Sequence, residues 1–116
     1  MSGSMSKHHE RARSLIGEMT IEEKVAQLFS VWLLIEGDGS FAFRSVHDGV
    51  IKDQQDDPKT VMKHGIGQFT RPLGTRPIEA RDCVNGLNAV QKFLVEHTRL
   101  KIPAISHEEC LPGLMA

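Results

Sequence analysis

Apolar positions change their spacing from one stretch of the chain to the next, and the changes divide it into elements. Between residues 78 and 97, Cys83, Leu87, Val90 and Leu94 recur at steps of four, three and four, while Arg81, Asp82, Lys92 and Glu96 fall off that line. Such spacing puts one apolar stripe on an α-helix and predicts a helix over 78–97, with Thr75 as candidate cap and Pro77 in its first turn. The flanking runs, 67–70 and 103–106, are short and marked by Gly and Pro, which predicts strands. Strand, helix, strand is the crossover that joins parallel neighbours, almost always with a right hand. The pattern displays one such unit. Residues 31–35, Val-Trp-Leu-Leu-Ile, fit either a short buried strand or a continued buried helix; we read a strand.

Nearer the N-terminus, residues 6–18 are charged with Leu15, Ile16 and Met19 on one side, a short amphipathic helix ending near Gly17. Thr20 followed by Glu23 is a capping box that starts a second helix, and Val25, Leu28 and Phe29 behind it are expected to pack inward. Residues 36–57 are rich in Gly and Asp and predict a long loop with Phe41, Phe43 and Val46 to pack it; the Asp-x-Gly pattern lacks the ligands of a calcium loop. Pro58 opens a short helix through Met62 and Lys63, which His64-Gly65 closes with a left-handed cap.

Composition narrows the function classes. At 116 residues the chain is one domain at most, and a complete (β/α)8 barrel takes roughly 250 residues. With 14 Lys and Arg against 15 Asp and Glu, the formal charge of −1 gives no electrostatic case for a nucleic-acid or anionic-membrane partner. The apolar run at 31–35 is far too short for a membrane span. Cys83 and Cys110 match no metal or redox spacing, and Cys83 reads as a small buried hydrophobe. Residues 1–5 read as a vector-derived leader with Met5 as the natural start; without the apolar core of a secretory signal, a cytoplasmic protein is expected.

The stretch with chemistry is 102–113, Ile-Pro-Ala-Ile-Ser-His-Glu-Glu-Cys-Leu-Pro-Gly: apolar at its start, acidic afterwards, closed by Pro and Gly. It reads as a buried strand delivering His107, Glu108 and Glu109 to a turn. Carboxylates are rarely buried unless paired, so these face a cleft, at the strand end where α/β folds place ligands. His-Glu-Glu lacks the second histidine of a metalloprotease helix, so no metal is expected. Gly65-Ile66-Gly67 lacks the third glycine of a dinucleotide fingerprint and marks a tight approach to a strand; no cofactor is expected.

Taken with Gly65-Ile66-Gly67-Gln68-Phe69-Thr70-Arg71-Pro72-Leu73-Gly74 and Met19-Thr20-Ile21-Glu22-Glu23-Lys24-Val25-Ala26-Gln27-Leu28, this stretch resembles the N-terminal part of a glycoside hydrolase family 3 enzyme of the β-glucosidase or β-xylosidase kind. The resemblance implies an α/β fold that is part of a (β/α)8 barrel, namely N-terminal helices plus the first βαβ unit. It implies hydrolysis with retention through a nucleophilic Asp and an acid/base Glu, both on segments downstream of those this chain covers. It further implies that Glu109, four residues before Gly113, accepts hydrogen bonds from the sugar's outer hydroxyls; the family has Asp or Glu there. Glu is one methylene longer, which favours a pentose. By topology Arg71 points to the same mouth, as a salt-bridge partner of Glu109, a sugar contact or a solvent-exposed loop residue, and His107 stands behind as a supporting partner. Without the resemblance, Glu109 equally suits a helix cap or an Arg partner. The expected partners are a carbohydrate and either the rest of a barrel or a second copy. The competing readings are a self-associating α/β binding or assembly module, and a small enzyme using His107 with Glu108 or Glu109 as acid and base.

Overall fold

The computed structural model describes residues 2–38, 40–43, 57–74 and 77–110, with side chains from Ser6 onward. In chain order these form α1 (Ser2–Glu18), α2 (Ile21–Ala26), β1 (Ser30–Ile35), β2 (Phe41–Phe43), α3 (Pro58–Val61), β3 (Gln68–Thr70), α4 (Ala80–His97) and β4 (Ile105–His107). The strands make one open, mixed sheet in the order β2-β1-β3-β4. β1 runs parallel to β3 with Val31 opposite Phe69, and β3 parallel to β4 with Phe69 opposite Ser106; β2 turns back antiparallel on β1 with Leu34 opposite Ala42. The expected parallel pair across α4 is present. A second parallel pair, β1 with β3, joins it, which the short run at 31–35 could not reveal.

Alternation along the strands decides which face is covered. Leu33 and Ile35 of β1 and Phe69 of β3 form a core with Cys83, Val90 and Leu94 of α4, completed by Met62, Ile66 and Ala104. α4 passes β1 closely: a Cβ on Gly86 would come within 2.3 Å of Ile35 Cγ2. α4 begins at Ala80 with Glu79 in the cap position, making no side-chain cap bond; Thr75 lies outside the described residues. α3 opens on Asp57 and Pro58 as expected, and Gly65 follows it at φ +86.

The capping box is tied to the segment that follows α4. Glu23 accepts from Thr20 N–H (2.8 Å) and Thr20 Oγ1 from Glu23 N–H (3.3 Å). Arg99, just past α4, donates Nε to Glu23 Oε1 (2.9 Å) and Nη2 to both Oε2 and Glu18 C=O. The Arg99 bonds, then the Thr20 N–H, hold the Glu23 carboxyl down at about 2 from an ordinary 4.5.

Several expectations fail. Val25, Leu28 and Phe29 are 46%, 86% and 59% exposed rather than packed inward. α2 stops at Ala26, and a turn closed by Leu28 N–H to Val25 C=O and Phe29 N–H to Ala26 C=O breaks the helical spacing. The strand expected at 103–106 starts only at Ile105 and is not buried, with Ile105 66% exposed. The amide of Gln91 occupies both backbone groups of Ala104, at 2.8 and 3.0 Å, so the ladder begins one residue later, on an edge strand. Residues 36–57 contain β2, reached through a turn with Glu36 N–H on Ser40 C=O and Ser40 N–H on Asp38 Oδ1; Val46 lies outside the described residues. α1 runs Ser2–Glu18, longer than the helix expected at 6–18.

Candidate functional site

Three parallel strands end on the same side of the sheet, so β1, β3 and β4 bring the residues at their C-terminal ends together. Arg71, leaving β3, takes φ +52, an uncommon conformation for a residue with a Cβ, while its N–H extends the ladder to His107 C=O at 2.9 Å. Among the described residues its guanidinium meets Gly74, Glu109 and Trp32. Nη2 donates to Gly74 C=O (3.1 Å), Nη1 lies 3.7 Å from Glu109 Oε2, and Cζ stands 5.2 Å from the Trp32 ring centroid.

Glu108 is turned to a different task. Its carboxylate accepts from Leu73 N–H (2.6 Å) and Gly74 N–H (3.2 Å), tying the loop after β3 to the end of β4. A Cβ on Gly74 would lie 2.9 Å from Glu108 Oε2, so the glycine permits the approach. Burial, and then the Glu108 charge, push the Cys83 thiol up, and its Sγ lies 3.8 Å from Pro72 C=O. His107 Nε2 meets Thr70 Oγ1 at 3.1 Å, and Thr70 Oγ1 meets Ser30 Oγ, a polar row across β4, β3 and β1.

Arg71 and Glu109 are therefore brought together, and His107 and Glu108 are engaged with Thr70 and with the loop. The Arg71 and Glu109 side chains are 32% and 59% exposed. Exposed ion pairs contribute about 0–1 kcal/mol, so this one orients its groups more than it holds the fold. It offers in-plane N–H donors beside carboxylate acceptors, a pairing suited to a ligand rich in hydroxyls. Sequence reasoning missed Trp32 and Thr70. The signal lies in register: once β1 pairs parallel with β3, Trp32 falls opposite Thr70.

Among the described residues no group of three His, Cys, Asp or Glu side chains is placed to hold a metal ion, and no helix is long and apolar enough to cross a membrane. Elsewhere on the surface, residues from α2, β1 and α3 frame an open apolar depression of about 370 Å³, lined by Ile21, Val25, Phe29, Val31, Val61 and Ile66 among others.

No curated protein matches the chain. The family model described as glycosyl hydrolase family 3 N terminal domain matches residues 20–116, from the capping box to beyond the end of β4. The chain belongs to glycoside hydrolase family 3, and its residues 20–116 correspond to that family's N-terminal domain.

Proposed function

We propose that the chain is the opening portion of a (β/α)8-barrel glycosidase of β-glucosidase or β-xylosidase type, in which Glu109 and Arg71 help hold the sugar at the bond to be cut. The position of Glu109 carries the reading. It lies inside the matched span, past the end of a parallel strand, with Arg71 Nη1 3.7 Å from its Oε2. Glu109 supplies acceptors for sugar hydroxyls, and Arg71 supplies donors and fixes the carboxylate's direction. The extra methylene of Glu over Asp favours a pentose.

Retaining hydrolysis requires two carboxyl groups about 5–5.5 Å apart, one nucleophile and one acid/base. The family resemblance puts both outside these 116 residues, so this chain binds without turning over. Incubation with 4-nitrophenyl β-glucoside and β-xyloside is expected to release no nitrophenol. Sustained release that Glu109→Ala abolishes would contradict the assignment of chemistry.

A second reading, a self-associating α/β module without enzymatic activity, draws on the apolar surface around α2, where Ile21, Leu28 and Phe29 are 76%, 86% and 59% exposed. Parallel strands are ordinarily covered on both faces, and an open edge is a template for pairing. In the isolated chain, a second copy is the available cover. Sedimentation equilibrium at micromolar concentration is expected to give a mass above 12.9 kDa; a cooperatively folded monomer would argue against association.

A further inference from the structure

We infer that Trp32 is a positioning residue of this site: its indole ring holds the Arg71 guanidinium so that Nη1 faces Glu109, and through Arg71 it sets the direction of that carboxylate. The inference rests on the reading of Glu109 and Arg71 as sugar-binding groups.

The geometry of a guanidinium explains the division of labour. It is planar, with donors in the plane and a π face above and below. In Arg71 the in-plane edge serves Gly74 C=O at 3.1 Å and Glu109 at 3.7 Å, while the indole ring lies 5.2 Å from Cζ. An exposed ion pair at that separation is too weak to order a long side chain alone. The Trp32 ring, with Arg71 Cζ over it at 5.2 Å, adds a cation–π attraction that restricts the guanidinium further. The backbone end is also fixed, since Arg71 sits at φ +52 with its N–H on His107 C=O. A non-glycine residue in this conformation costs about 1–3 kcal/mol and persists where its surroundings require it.

Among the described residues, Trp32 is not part of the core cluster. The core cluster on the α4 side takes Leu33 and Ile35 from β1, and Val31 packs against it. Trp32, half-buried, alternates to the other face, opposite Thr70 in the parallel register. Its large ring therefore lies on the face opposite α4, where the Arg71 guanidinium stands over it.

Trp32 is the only tryptophan in the chain, and NMR of labelled protein reads both ends of the contact. In the wild type, Arg71 Hε is expected to be shifted upfield by the indole ring and its Nε–H to show the heteronuclear NOE of an ordered group. W32L should remove both effects and move the Glu109 Cδ resonance; W32F, which keeps an aromatic face, should retain part of each. A purely structural role predicts a loss of stability with the Arg71 Hε and Glu109 Cδ signals unmoved. With methyl β-D-xyloside as probe, W32L should weaken binding about tenfold and W32F about threefold.

A dispersed W32L spectrum with Arg71 still ordered and Glu109 Cδ unmoved would overturn the inference, as would unchanged xyloside binding by a variant in which Arg71 has lost its order. If W32L does not fold, the wild type and W32F decide: no upfield Arg71 signal in the wild type, or the same shift in both, counts against it. A wild type that binds neither the xyloside nor methyl β-D-glucoside refutes the sugar-site reading, while Arg71 order still decides whether Trp32 positions it.

Discussion

Replacing Gly67 by Ala tests how closely β3 passes the turn that follows α2. Gly67 N–H donates to Ala26 C=O at 3.0 Å and Gln68 N–H to Phe29 C=O at 3.1 Å. A Cβ at position 67 would lie 2.1 Å from Gln27 O, 2.7 Å from Gln27 C and 3.1 Å from Phe29 O. These are backbone atoms, so no side chain can swing aside. Ordinary contact begins at 3.4 Å, and the two segments must part by more than an ångström, which stretches both hydrogen bonds out of range. Losing these two backbone bonds, the first from the N–H of buried Gly67, costs about 2–4 kcal/mol. Against that, Ala restricts the unfolded chain and contributes about 0.4–1 kcal/mol. Net destabilisation of about 1.5–3 kcal/mol should appear in urea unfolding followed by circular dichroism, as a lower midpoint with an unchanged slope. Gly17→Ala in α1, where a Cβ meets nothing within 4 Å, is the control and should be neutral or stabilising. A Gly67→Ala variant as stable as the wild type would refute the close passage.

The remaining expectations concern side chains that tie elements together. Glu23 has a folded pKa of about 2 against an ordinary 4.5, lowered first by the Arg99 bonds; the unfolded state binds the proton more readily, so its contribution is complete above about pH 4.5 and fades as pH falls towards 2. Unfolding midpoints measured across that window should drop less steeply for Glu23→Gln than for the wild type, and parallel profiles would count against the linkage. Gln91→Ala leaves the N–H and C=O of buried Ala104 without their amide partner and should cost about 2 kcal/mol, with Gln91→Glu intermediate because it keeps an acceptor only; thermal unfolding at neutral pH checks the order. Glu108→Ala frees the N–H groups of Leu73 and Gly74 and should speed proteolytic cleavage in that loop, whereas an unchanged cleavage rate would show that the carboxylate does not hold it.

Legibility in the sequence followed how local each determinant is. The α4 stripe, the Thr20–Glu23 capping box and the left-handed Gly65 depend on neighbours within a turn or two, and each is where the pattern sets it. The pairing of β1 with β3 depends on residues nearly forty positions apart, such as Val31 and Phe69, and periodicity carries no record of it. The inward packing expected of Leu28 and Phe29 failed because α2 ends at Ala26, and apolar residues after a helix no longer share its face. At the site, the acidic run after β4 was legible, but its division was not. Glu108 turns to the loop and Glu109 to Arg71, a choice set by the path of the chain at Leu73 and Gly74. Trp32 read as one more apolar strand residue until register placed it opposite Thr70, beside Arg71.

The most direct measurement of the central claim is a titration of the ¹⁵N-labelled chain with methyl β-D-xyloside and methyl β-D-glucoside, followed by amide shifts. Saturable changes are expected at residues 70–74 and 107–110, tighter for the xyloside, and abolished by Glu109→Ala, whose exposed side chain should leave the fold unchanged. Changes confined to the apolar depression around Phe29 and Val31, or a titration that Glu109→Ala leaves intact, would contradict it.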